Sequence, residues 1–404
     1  LGRWLAALLI LAATGCSMLN LTGSSTPGGG TSLPGVASPT SSLAEVVDVP
    51  IVTATPSGPP VLTVWLPPQF DPQSESPAGQ LLKAHLAEFS SSHPELEIDV
   101  RIKAVSGVGG LLETLSSASL AAPDALPSLI AVPRSLLESA VLQGLIYPYP
   151  VDVGDWKADD WYPYARELSQ VQGTVFGLPF AGDALVLLYR PAGLSEGLQS
   201  WENIMLSGQR LALPAGDPQA SITLALYLSA GGAIQNEQGR PTLQPEVLQQ
   251  VLEIYSRALG QGVILPGMVD VNIDSLAWQG YQEGGAQMVV TWASRYFSGT
   301  PADTTASLLP ALSENPYALA DGWSWAIADP QPARRLLAIE LAQHLSDTGF
   351  LAEWTQAAGY LPVRAASLAQ WSAGSGRDLA HQFALAVFAL TIRLEMVGAE
   401  RFLQ

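Results

Sequence analysis

Apolar positions along the chain switch between a period of two and a period near 3.6, and the switching predicts alternating strands and helices. Residues 61–66, Val-Leu-Thr-Val-Trp-Leu, read as a buried strand. A helix follows over 79–91, with Leu81, Leu82, Leu86 and Phe89 at helical spacing and His93-Pro94 to end it. At 96–103, Ile98, Val100 and Ile102 alternate with polar and charged residues, as in a half-buried strand. A helix over 110–118, a strand over 128–132 and a helix over 134–143, with Gly144 in the C-cap place, complete this stretch. That order implies right-handed crossovers and a parallel sheet. The theme returns with strands at 173–179, 185–189, 210–213, 286–291 and 323–328. Helices are expected at 220–230, 245–259, 333–345 and 350–358, and there is no short-period repeat. The fold class is therefore α/β. The body of about 345 residues is too long for one compact core, so two lobes are expected.

The pattern differs before residue 61. Arg3 supplies a small positive region, and Trp4 to Ala13 is an apolar run too short to span a bilayer. Ala13-Thr14-Gly15-Cys16 resembles the bacterial lipobox, with Ala13 where Leu is preferred, and makes Cys16 the expected lipid-anchor residue at the end of a 1–16 signal peptide. Two or three acyl chains on one cysteine hold a protein stably at a membrane. The first residue is Leu1, which implies an unusual start codon or a start further upstream. Residues 17–60 are rich in Ser, Thr, Gly and Pro and read as a flexible tether.

Charge narrows the partners. The chain has 18 basic and 36 acidic residues, a formal net charge of −18, which argues against nucleic acid or an anionic membrane surface. Cys16 is the only cysteine, so no disulfide forms within the chain. After residue 16 no run approaches 18 consecutive apolar residues, the length at which a membrane helix is read.

Several segments, taken together, resemble the family 1 extracellular solute-binding proteins of ABC importers, the group of maltose- and oligosaccharide-binding proteins. Leu62-Thr63-Val64-Trp65 is similar to that family's first strand, and Phe89, His93-Pro94, Ile98 and Val100 to its next segment. Leu126-Pro127-Ser128-Leu129-Ile130 matches with Ser128 where Asp is usual, and Leu142 to Ile146 resembles the family's following turn. Gly173, Phe176-Gly177-Leu178-Pro179-Phe180, Asp183 and Leu188-Tyr189 match with Arg190 in place of Asn, and Trp201-Glu202 carries the next segment. Gly284 to Met288 with Trp292, Gly322 to Ile327, and Trp354 with Gly359 to Arg364 complete the series. It is their order and spacing across residues 61–365 that is specific. The resemblance implies an N-terminal lobe from 61–179 and 318–348 and a C-terminal lobe from 180–317 and 349–404, joined at a hinge. It also implies a ligand held in the cleft and delivery to ABC permease subunits.

The candidate binding residues suit such a ligand. Sugars present flat C–H patches to aromatic faces and hydroxyls to carboxylates, amides and Arg, and the chain carries 11 Trp and 11 Tyr. Trp323 and Trp325 alternate on a strand and should share a face. Trp65 and Phe70 stand at the end of the first strand, where doubly wound sheets place ligands. Phe180 and Asp183 fall in a loop that the family places in the cleft; Trp292 and Tyr360 are candidates by resemblance. Arg134 follows the 128–132 strand. At least two of Trp65, Trp292, Trp323, Trp325 and Tyr360 should line the cleft, while Asp159, Asp160 and Asp321 should face solvent.

Enzyme motifs are weak. Gly322 to Ala326 superficially matches G-x-S-x-G, but the chain runs on as a strand instead of turning into a helix. Gly107 to Gly110 lacks the Lys-Ser/Thr of a phosphate loop. His85, His93, His344 and His381 make no HExxH pair and no short metal cluster; His85 and His344 read as surface or helix-packing residues. The reading is a monomeric, lipid-anchored extracytoplasmic receptor, not an enzyme and without cofactor or metal, that captures a sugar or oligosaccharide. Two alternatives stay open: a tethered receptor for a membrane sensor, and a secreted glycosidase, whose paired carboxylates need only meet in space.

Overall fold

A computed structural model describes residues 60–150, 160–192, 198–236, 238, 240–299, 302–313 and 318–389. All belong to the unit Ser57–Gln404. The expected signal peptide with Cys16, all but the last residue of the tether, Asp159 and residues 390–404 lie outside the described residues.

The chain opens with β1 (Val61–Leu66), α1 (Pro77–Ser92), β2 (Glu97–Ile102), α2 (Leu111–Ala121), β3 (Leu129–Pro133) and α3 (Arg134–Leu142). Ser76 starts α1: its hydroxyl accepts from the Gly79 N–H at 3.0 Å, with Pro77 in the first turn. Strands β1, β2 and β3 pair in parallel, as the strand–helix alternation predicts. Then come α4 (Pro163–Ser169), the short hairpin β4 (Gln170–Val171) and β5 (Thr174–Val175), and β6 (Gly177–Tyr189).

Strand β6 differs from expectation. In place of two strands with a loop between them, thirteen residues run unbroken, and Phe180 and Asp183 lie on the strand. Gly182 and Asp183 are turn-forming types, but pairing of 181–184 with Ala320 to Trp323 of the later strand holds the segment extended.

The remaining elements are α5 (Trp201–Leu206), β7 (Leu211–Ala212), α6 (Ser221–Ser229), α7 (Pro245–Gly260), α8 (Asp274–Gln282), β8 (Met288–Trp292), α9 (Ala293–Phe297) and β9 (Thr305–Leu308). Strand β10 (Ala318–Ile327), α10 (Pro332–His344), α11 (Thr348–Ala358), α12 (Ala365–Ala369), α13 (Ser375–Ala386) and β11 (Val387–Ala389) follow. Among the described residues no helix is long and apolar enough to cross a membrane.

The sheet order is β2-β1-β3-β10-β6-β8-β7, with β11 beside β10 and β9 beside β6. β10 lies antiparallel to both β3 and β6, so the parallel pattern is confined to parts of the sheet. The first half of β6 pairs with β10, and its second half pairs with β8 from Leu185 to Tyr189 and with β9 from Val186 to Tyr189. One strand thus serves both halves of the molecule.

Side-chain alternation sorts the cores. Leu62, Val64 and Leu66 of β1 face one cluster with α1, while Trp65 faces another with Leu111, Leu115, Ile130 and Leu137. A third cluster fills the other half, where Leu185 and Leu187 meet Trp201, Ile204 and Val251. The two departures from the family pattern have partners. Ser128 donates its hydroxyl to buried Asp329 at 2.7 Å, and Arg334 reaches the same oxygen. Arg190 bonds Asp303 and the carbonyls of Tyr281 and Ala286, with its guanidinium over the Tyr281 ring at 4.2 Å.

Candidate functional site

The register of β6 against β10 places Asp183 directly opposite Asp321. Towards the first half, the same face continues into Ala181, Trp323 and Trp325; towards the second, into Leu185 and Leu319. On this face the two carboxylates separate residues of two clusters, while the first cluster also runs into the second half through Val186, Val289 and Ala306. Between Trp323 and Ser324 the register shifts, because β6 carries Phe180 as one extra residue. Such a bulge re-aims its side chain. Phe180 stacks on Trp325 at 4.3 Å and meets Phe70 edge-on at 5.4 Å.

Phe70 is the hub of an aromatic group. It lies 4.9 Å from Trp323, 5.3 Å from Trp354 and 5.7 Å from Tyr360, all edge-on. Trp354 and Tyr360 stack in parallel at 6.3 Å. Gly359 ends α11 with φ +76°, and a side chain there would press on the Ser298 backbone, so a glycine is needed on both counts to present Tyr360. Within this group Phe70, Phe180, Trp325 and Trp354 are buried, whereas Trp323 and Tyr360 are only half-buried. The buried rings form a floor beneath the two half-buried rings.

The polar groups gather around Tyr360. Burial raises its phenol well above the ordinary value; Asp183 and Asp321 add to the shift, and a hydrogen bond with Trp323 and the nearby Arg295 charge oppose it. The hydroxyl thus keeps its proton and can both donate and accept. Burial also pushes Asp183 up to about 7, against hydrogen bonds from the N–H groups of Ser294 and Ala184, each 2.9 Å from Oδ1. The acid of Asp321 is raised by burial too, opposed by main-chain bonds and by Arg134. Its expected exposure to solvent is corrected: pairing with Asp183 across the strands turns it inward. Asp160 is corrected likewise, because it forms a two-pronged bond with Arg364 at 2.8 and 3.2 Å.

The other candidates separate. Trp65 is 2% exposed and faces α2 and α3, on the side of β1 away from Phe70, with Lys103 over its ring at 5.1 Å. It belongs to the core. Trp325 shares the face of Trp323, as alternation predicts, but is buried beneath Phe180. Arg134 is 8% exposed and donates to the carbonyls of Leu168 and Gln170 at 3.3 and 2.6 Å, so it braces β4 while its charge reaches Asp321. Burial lowers its guanidinium from the usual value, and Glu138 and Asp321 oppose that. Trp292 is half-buried at the end of β8, opposite Leu185 and two residues before Ser294. Ser294 and Arg295, absent from the sequence-derived set, are brought in because α9 begins directly after Trp292.

Two α/β halves sharing a long strand, with aromatic and polar groups at the join, make a two-lobed binding-protein fold. Residues 86–377 match the family described as bacterial extracellular solute-binding protein, and the chain belongs to that family. Its structure resembles the sugar-binding protein MalE from Xanthomonas citri, at TM-score 0.66 and 18% identity over 82% of this chain and 87% of that one. It also resembles maltose-bound MalE3 of T. maritima, at 0.65 and 15% over 82% and 89%. The GacH receptor of Streptomyces glaucescens, solved unliganded and with acarbose, matches at 0.64 and 15% over 82% and 87%. No curated protein matches the chain.

Proposed function

We propose that the protein is an extracytoplasmic receptor for a carbohydrate, which it captures at the β6–β10 seam and delivers to an ABC importer by closure of two lobes. The carrying observation is the pairing of half-buried Trp323 and Tyr360 with the carboxylates Asp183 and Asp321 on one face. Ring faces suit the C–H side of a pyranose and the carboxylates suit its hydroxyls. The solved relatives bind maltose, malto-oligosaccharides or acarbose. The lobes divide near 61–179 with 318–348 and 180–317 with 349–404, and ligand touching both shifts the population towards the closed form. By these bounds Trp323 and Asp321 belong to the first lobe's side of the site, and Asp183, Trp292, Ser294, Arg295 and Tyr360 to the second's.

A thermal-shift screen of the full-length protein against mono- to tetrasaccharides and polyols tests this reading. A binder at about 100 times its Kd stabilises by about 2.7 kcal/mol, a readily measured rise in melting temperature. If amino acids, peptides or polyamines raise it while no carbohydrate does, the carbohydrate assignment is wrong. Cys16 carries the membrane anchor in this reading. Labelling cells with a fatty-acid analogue should mark the wild type and leave Cys16→Ser unmarked; equal labelling of both would remove the anchor from the account.

A further inference from the structure

Three of the chain's four histidines meet at one seam of the first half. His85 of α1 and His344, the last residue of α10, are 259 positions apart, yet their rings stack at 3.8 Å and 9°. Phe350 of α11 covers the other face of His85 at 4.0 Å. His93 lies one step along the seam, stacked on Phe89 at 4.2 Å with Nε2 3.2 Å from Glu340.

The hydrogen bonds fix the tautomers of the stacked pair. His85 Nε2–H donates to the His344 carbonyl at 2.8 Å, and His344 Nε2–H donates to the His85 carbonyl at 3.0 Å. A carbonyl only accepts, so both rings carry a proton on Nε2, and a neutral ring keeps its lone pair on Nδ1. His85 Nδ1 lies 3.2 Å from a Glu88 carboxylate oxygen. Two lone pairs face one another across that gap unless a proton or a cation lies between them. One donor atom from each of His85, Glu88 and His344 lies within 4.8 Å of the others.

We propose that His85, Glu88 and His344 form a binding site for a divalent transition-metal ion of the zinc class, which ties α1 to the end of α10. An imidazole that gives its second N–H to a main-chain carbonyl is already oriented as metal-ligating histidines are. Two imidazoles and one carboxylate suit zinc, whereas magnesium and calcium take oxygen ligands. An ion about 2.0–2.1 Å from each donor draws the three together. His85, held between two rings, stays in place; the outer His344 ring tilts out of the stack, and exposed Glu88 swings in. Solvent fills the remaining position.

Titration calorimetry of the full-length protein with zinc chloride, and with magnesium chloride as control, tests the site. The expected result is one equivalent of zinc bound at micromolar affinity or tighter, a higher melting temperature with zinc, and neither effect with magnesium. Glu88→Gln should weaken zinc binding at least roughly tenfold while the metal-free melting temperature stays unchanged, because that side chain is exposed. His344→Gln should also lose the ion, with its metal-free melting temperature measured alongside because it gives up a hydrogen bond. His93→Gln and Cys16→Ser should bind as wild type does. The proposal fails if zinc does not bind saturably, if binding survives both Glu88→Gln and His344→Gln, or if His93→Gln or Cys16→Ser alone abolishes it.

Discussion

At the scale of single residues, Asp183 is the most informative group. Its folded-state acid lies near 7 because of burial, against an ordinary 3.8. The unfolded chain therefore releases this proton at lower pH than the folded one, and stability must fall as pH rises between those two values and level off above. Asp321, also raised by burial, acts in the same direction. Asp183→Asn cannot ionise but keeps an oxygen for the Ser294 and Ala184 N–H groups. Its melting temperature should match the wild type near pH 4 and exceed it by a growing margin up to about pH 7; a constant margin at all pH values would contradict the burial argument. Asp183 itself was legible in the sequence. Asp321 was not, because its inward turn depends on which strand lies beside β10, and no local pattern states that. Trp65 shows the reverse case. Period-two alternation already sets it on the face opposite Leu62, Val64 and Leu66, yet only the positions of α1 and α2 reveal which face meets Phe70.

At the scale of elements, the strand–helix succession of the first half and the helices α1, α2, α3, α6, α7, α10 and α11 were readable, because periodic apolar segments depend little on tertiary context; α4, α5, α8, α9, α12 and α13 were not. What also escaped was the continuity of β6. Its central Gly182, within the segment expected to be a loop, serves close packing. A Cβ on Gly182 would overlap the Tyr164 hydroxyl, which donates to the Pro362 carbonyl at 2.8 Å. The Gly182 backbone itself exchanges hydrogen bonds with Leu361, next to Tyr360. Gly182→Ala should therefore cost about 1–3 kcal/mol of stability, as overpacking in a filled core does, and also weaken ligand binding by displacing Tyr360. Chemical denaturation and a ligand titration on the same variant check both parts; an unaltered midpoint would mean that the contact is slack.

At the scale of the whole molecule, the shared strand gives the two halves a common reference, and the site lies along that strand between residues of the first cluster and those around Trp201 and Val251. The histidine seam lies in the first half, linked to the aromatic group through Phe350, which stacks on Trp354 at 6.3 Å. Sequence spacing shows neither feature, since both join residues far apart along the chain. Family membership makes the protein a solute-binding protein; the aromatic–carboxylate seam turns that into a specific claim about carbohydrate. The direct measurement is titration calorimetry of wild type and Trp323→Ala with the carbohydrate that gives the largest thermal shift. The wild type should bind one-to-one and the variant at least roughly tenfold more weakly, as loss of about 1.4 kcal/mol or more requires, with nearly equal melting temperatures without ligand. Unchanged affinity in Trp323→Ala, or a variant unstable without ligand, would contradict that claim.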